Sequence, residues 1–260
     1  MNVFNKPNSE TAEITLIGTG GGYGESVVIH LGNDDWVVID SFKNPVTGKI
    51  LPLEYLEKIK VDLAHVRLII CTHWHDDHIK GISEIFEACK NATFCFAKFS
   101  SLKQFFVFLG LGELKGEKLS QSCTEEFNKC IDLINANGRK VVYSSIDRMV
   151  LKTDSNNGIT ILSPADATHD KFEKKLGELI KIGRDPNREL LPRSPNHLSI
   201  ATLLSIGQHY ALLGADLEIT TDKNEGWANI IENCNAIKSI KSSFFKIPHH
   251  GSSTGYYELV

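Results

Sequence analysis

The chain of 260 residues is 42% hydrophobic and 23% charged, enough apolar material for a buried core without staples. A formal net charge of −4 argues against a protein built to ride a phosphate backbone, which demands a basic surplus. Its longest apolar stretch, residues 104–111, is interrupted by glycine and far too short to span a bilayer, so no membrane partner is expected.

Residues 13–17 read as a strand running into a glycine-rich loop at 18–24. Residues 26–31 and 36–39 are apolar, β-branched runs separated by Gly32-Asn33-Asp34-Asp35, a hairpin signal. Helical spacing at 51–59 is followed by a strand at 66–71, a helix at 79–90 and a strand at 92–97. The stretch 100–137 is the most helix-like, with Phe127, Cys130, Ile131 and Ile134 recurring at threes and fours. Strands are expected at 140–143, 148–151 and 159–163, then a polar helix at 167–182 and an exposed, Pro-containing loop at 184–195. Residues 198–205 and 210–214 form a second hairpin about Gly207-Gln208, and a helix at 225–233 precedes a strand at 244–247. Strands and helices interleave with no convincing linker, so one α/β domain over residues 1–260 is expected.

The six cysteines (71, 89, 95, 123, 130, 234) form no C-x-x-C pair. The first ten residues are polar and lack the apolar heart of a secretion signal. Reduced, mostly buried thiols in a cytoplasmic protein follow. Lys171, Lys174 and Lys175 alternate with Glu173 and Glu178 as a solvated helix face would. The 18–24 loop is followed by β-like residues rather than a helix, so a turn shaping the mouth of a site fits better than a dinucleotide loop.

The chemistry concentrates in Thr72-His73-Trp74-His75-Asp76-Asp77-His78, directly after the apolar run 68–71. Imidazole and carboxylate suit zinc, manganese and iron. In an extended segment His73 and His75 face one side and can share a metal, while the turn that follows lets Asp77 and His78 face a second.

This H-x-H-x-D-H pattern, with Gly81 after it, resembles the signature of the metallo-β-lactamase superfamily. The resemblance implies an αββα sandwich with metals held by loops at the sheet edges, so His73, His75, Asp77 and His78 become ligands. It also implies an orienting role behind the ligands for Asp40, which ends the run 36–39, and a bridging role for Asp216 in Leu213-Gly214-Ala215-Asp216. Lys246-Ile247-Pro248-His249-His250-Gly251-Ser252 is similar to the His-His-Gly-Ser motif of one branch, which includes the hydrolase domain of competence channels and choline-phosphate esterases. His249 and His250 both stand as the last ligand, the other being a proton donor or substrate anchor. Asn196-His197-Leu198-Ser199 matches that branch's third motif, which makes Asn196 a catalytic candidate and leaves His197 between a supporting role and an ordinary loop position.

The implied function is hydrolysis by a metal-activated hydroxide, with Asp77 contributing to catalysis as a ligand. One or two Zn2+ ions are the expected cofactors, with Mn2+ or Fe2+ as alternatives. The branch points to a phosphodiester, from a small molecule or a nucleic acid. The alternatives are hydrolysis of a lactone, β-lactam or thioester, and a noncatalytic binding module stabilised by metal. The chain stops at Val260, soon after His250, where relatives continue, so a short C-terminal half or completion by a second chain is expected.

Overall fold

The computed structural model describes residues 5–20, 24–99, 121–182 and 195–255. Expectations for 21–23, for the head of the long helix at 100–120, for the loop 184–194 and for the chain end lie outside these residues. Two sheets form the centre. The first takes β1 (Glu13–Gly18), β2 (Glu25–His30), β3 (Trp36–Ile39), β4 (Val66–Ile70), β5 (Thr93–Phe96) and β6 (Val141–Tyr143) in sequence order. β1, β2 and β3 are antiparallel neighbours, and β3 to β6 run parallel. The second sheet contains β7 (Met149–Lys152), β8 (Gly158–Ile161), β9 (Thr202–Ile206), β10 (His209–Leu213) and β11 (Phe244–Lys246). Its pairs are antiparallel except β10–β11, which is parallel.

Alternation along the strands builds three apolar layers, because successive side chains leave a strand on opposite faces. Val27, Ile29, Val37, Ile39, Leu68 and Ile70 meet Ile159, Ile161, Leu204 and Leu213 between the sheets. Their neighbours Val28, Val38 and Ile69 point the other way, into a layer covered by α1 (Leu51–Lys58), α2 (Asp76–Ile79), α3 (Ile82–Ala88), α4 (Gln121–Asn137) and part of α5 (Asp166–Ile182). On the outer side of the second sheet, Leu203 and Leu212 pack with Trp227 and Ile230 of α6 (Gly226–Asn233). The result is an αββα sandwich, the metallo-β-lactamase fold. Strands buried on both faces read as continuous apolar runs, as β3 does.

Two expected elements change. The helix expected at 79–90 is α3, which starts at Ile82, because the chain breaks at Gly81 after the short α2 of the histidine loop. Gly81 sits at φ 85°, and a Cβ there would lie 2.7 Å from Ile50 Cγ1, so only glycine fits the break. The strand expected from 198 begins at Thr202, because Pro195–Leu198 is wound into a short 3-10 turn. Among the described residues no helix is long and apolar enough to cross a membrane.

Strand direction gathers the loops of interest on one edge. Asp40 follows β3, residues 71–75 follow β4, Asp216 follows β10, and His250 follows β11. Glu25 opens β2, which is antiparallel to β3, so it reaches the same edge. Ile200 N donates to Thr72 O at 3.1 Å and stitches the two sheets beside the loops.

Candidate metal centre

The loop after β4 leaves the sheet extended and then turns into α2, with His75 at the N-cap position. This carries His73 and His75 to one side and brings Asp77 and His78 round to another. Three sets of ligand atoms converge within 4.8 Å: Asp40 with His73 and His78; His73 with His75 and Asp216; Asp77 with His78 and His250. His73 Nε2 lies 3.1 Å from His75 Nδ1 and 3.8 Å from Asp216 Oδ2. On the other side His78 Nε2 lies 3.4 Å from Asp216 Oδ1 and 3.8 Å from Asp77 Oδ2, and His250 Nε2 lies 3.4 Å from Asp77 Oδ2. His250 Nε2 is also 3.7 Å from Asp216 Oδ2, so Asp216 stands between the two groups.

The donor chemistry fits divalent cations. Zinc bonds of 2.0–2.1 Å at a tetrahedral angle separate two ligand atoms by roughly 3.3 Å, the range of these contacts. Among the described residues His78 Nε2 and Asp216 Oδ1 are buried with no well-formed hydrogen bond, the 3.4 Å approach between them being misaligned. In the absence of a cation these two atoms are matched only by each other's charge, and a cation between them would give both a bonded partner.

Asp40 organises this set from behind. Its carboxylate accepts from Thr72 N at 2.7 Å and from Thr72 Oγ1 at 2.6 Å, and its Oδ2 lies 2.9 Å from His78 Nδ1. The Thr72 hydroxyl proton is therefore spent on Asp40, and Thr72 Oγ1 accepts from His73 Nδ1 at 2.9 Å. Both rings are thereby fixed with Nε2 facing the cluster.

The charges follow. Burial opposes a proton on His78, but Asp216 and Asp40 outweigh it and hold its pKa well above 6.5. Burial likewise opposes ionisation of Asp216, yet His78, His73 and His250 hold its carboxyl far below the usual range. Burial, reinforced by His78, drives His73 well below the ordinary histidine value. His250 is raised by its bond to Asp77. Burial pushes the Cys89 and Cys95 thiols up to about 12, against any thiolate chemistry there.

The adjacent histidines separate. His249 and His250 both take positive φ, 49° and 51°, and their rings diverge. Where His250 joins the cluster, His249 turns to a different set. Its Nδ1 lies 2.8 Å from Thr254 Oγ1 and 3.2 Å from Glu218 Oε1, and its Nε2 is 3.5 Å from Asn196 Nδ2. Asn196 Nδ2 donates to Glu218 Oε1 at 3.0 Å, so Asn196 contacts this carboxylate as well as His249. His197 lines a separate cleft of about 310 Å³ with Thr168, Lys171, Phe172 and Glu225. Sequence reasoning passed over Thr72, Glu218 and Thr254 as functional groups, and also Glu25 and Lys246. Their partners are distant in the chain, and the only sequence signal is adjacency to a motif: Glu218 follows Asp216 by two residues, and Lys246 opens the His-His-Gly-Ser string.

Residues 19–129 match the family model described as the metallo-β-lactamase superfamily. No curated protein matches the chain. Similar solved structures include the hydrolase AbOPH, described as in the β-lactamase superfamily, at 16% identity and TM-score 0.45, covering 74% of this chain and 55% of that one. YhfI of Bacillus subtilis, a metallo-β-lactamase-fold protein, is similar at 14% identity and TM-score 0.41, covering 81% and 64%. BJP-1 of Bradyrhizobium japonicum, a subclass B3 metallo-β-lactamase, is similar at 15% identity and TM-score 0.42, covering 77% and 58%. The chain thus spans under two thirds of the length of these three proteins. It has the metallo-β-lactamase fold, and the matched residues 19–129 hold the first sheet's Asp40 and the His73–His78 loop.

Proposed function

We propose that the chain is a metal-dependent hydrolase of phosphodiesters, either a small phosphodiesterase or a nuclease. The observation that carries this reading is the convergence of His73, His75 and Asp216 beside Asp77, His78 and His250, with His78 Nε2 and Asp216 Oδ1 lacking a well-formed hydrogen bond among the described residues. These six residues would hold the cations, with Asp216 shared, and Asp40 would orient His73 and His78. Cations so held supply Lewis-acid activation of water and of the phosphoryl group at neutral pH. His249 is anchored through Nδ1 by Glu218 and Thr254, and its Nε2, in only a long contact of 3.5 Å with Asn196 Nδ2, would carry a proton to or from the leaving oxygen. Asn196 holds Glu218 in place for that task. The preference for a phosphodiester is supported by Asn196 in the third motif and by the His-His-Gly-Ser string. Zinc is the preferred cation, and six buried cysteines outside any disulfide support a reducing, cytoplasmic setting.

The test is an assay of zinc-loaded protein against single-stranded DNA, a small chromogenic phosphodiester, a lactone and a thioester, with His249→Ala and His250→Ala alongside. Turnover of a phosphodiester is expected, with His250→Ala losing bound metal and His249→Ala keeping metal while losing rate by 100-fold or more, about the scale of a proton-transfer group. Cleavage of the lactone or thioester alone would overturn the substrate assignment. Tight metal binding without any turnover would favour a binding module.

A further inference from the structure

Lys246 is buried, with only 6% of its side chain exposed, although it carries a formal charge. Its Nζ pairs with Glu25 Oε1 and also lies 3.5 Å from Ala215 O, the carbonyl just before Asp216. A buried ammonium is costly to leave unpaired, so this contact fixes Glu25 firmly. Lys246 closes β11 in the second sheet, while Glu25 opens β2 in the first. The pair therefore joins the two sheets at the edge that bears the cluster. Glu25 has one oxygen engaged by Lys246, and the other, Oε2, faces His250 Nδ1 at 3.8 Å. The far nitrogen of that ring, Nε2, points at Asp77 and Asp216.

We propose that Glu25 and Lys246 form a clasp that positions His250 and Asp216 for metal, resting on the metal-centre reading above. Lys246 anchors Glu25. The Glu25 carboxylate, 3.8 Å from His250 Nδ1, favours the ring form that carries its proton on that side, which leaves the Nε2 lone pair turned to the cluster. The same lysine steadies Ala215, whose φ of 47° turns the chain so that Asp216 enters the site. His250 sits in a left-handed turn where two successive residues have positive φ, and Glu25 faces its ring from the side opposite Asp77. A plain ion pair between sheets would account for Lys246 and Glu25 meeting. It would not account for the second Glu25 oxygen facing a ring whose other nitrogen joins the candidate ligands.

The test compares the full chain with Glu25→Gln, Lys246→Met, the charge-free Glu25→Gln/Lys246→Met double variant, and Glu25→Asp. Zinc affinity is read by competition with a chromophoric chelator, ligand geometry by the visible spectrum of the cobalt(II)-loaded protein, and folding by thermal melting. Glu25→Gln should weaken zinc binding by roughly 10–100-fold and alter the cobalt spectrum, the usual effect of losing a group behind a ligand. The double variant should recover melting temperature relative to Glu25→Gln, because no charge is left stranded, yet keep the weakened affinity. Glu25→Asp should recover part of the affinity. If Glu25→Gln alone fails to fold, the double variant and Glu25→Asp carry the comparison. Wild-type affinity and spectrum in the double variant would overturn the clasp and leave the metal centre standing. A wild-type chain that takes up no zinc or cobalt would overturn both.

Discussion

His78 carries the sharpest electrostatic conflict at the residue scale. Burial disfavours its charge, while Asp216 and Asp40 more than compensate and raise its pKa well above 6.5. A raised folded value means that protonated His78 stabilises the metal-free fold in full below about pH 6.5, and that this contribution is lost as pH rises through the raised value. Asp216, held well below 3.8, contributes above that value and loses its contribution only in stronger acid. With metal chelated, urea denaturation should therefore show stability falling from near pH 6.5 into the alkaline range, and His78→Gln should flatten that fall. Equal slopes in both proteins would assign the pH dependence elsewhere. At this scale the sequence makes His73, His75, Asp77 and His78 readable because one turn compresses them. Asp216 and His250 needed the family pattern to be singled out. Glu218 stayed hidden because ordinary acidic residues become partners only when separate loops meet.

The break between α2 and α3 is an element-scale feature with its own support. Glu126 of α4 is buried, and its carboxylate accepts from Gly81 N at 2.9 Å, Ser83 N at 3.0 Å and Ser83 Oγ at 2.6 Å. A side chain from one helix thus satisfies the free N–H groups that open another. Both oxygens are used, so Glu126→Gln should cost about 1–2 kcal/mol, the range of a lost cap. Chemical denaturation would measure this, and zinc content should not change. A loss below a few tenths of a kcal/mol would mean that other groups satisfy those N–H donors. Element positions are readable from apolar runs and turn signals, since β3, α1 and β10 fall within a residue or so of expectation. The single helix expected over 79–90 overlooked Gly81, because apolar spacing continues across the break while the chain direction does not.

Across the whole molecule, the candidate ligands are divided between two sheets. His73, His75, Asp77 and His78 follow β4 of the first, and Asp216 and His250 follow β10 and β11 of the second. Leu68, Ile161 and Leu204 in the layer between them hold those edges in register. A cation bound across this seam stabilises only the docked arrangement, so zinc at 100 times its dissociation constant should add about 2.7 kcal/mol. Thermal melting with and without chelator would measure this, and equal melting temperatures would contradict a site shared by both sheets. The seam also sets a timetable. During synthesis the His73–His78 loop leaves the ribosome long before Asp216 and His250 exist, so the growing chain first presents four of the six candidate ligands. The full candidate set is assembled only when the second sheet closes on the first, so the site's geometry is a product of the finished fold rather than of the loop alone.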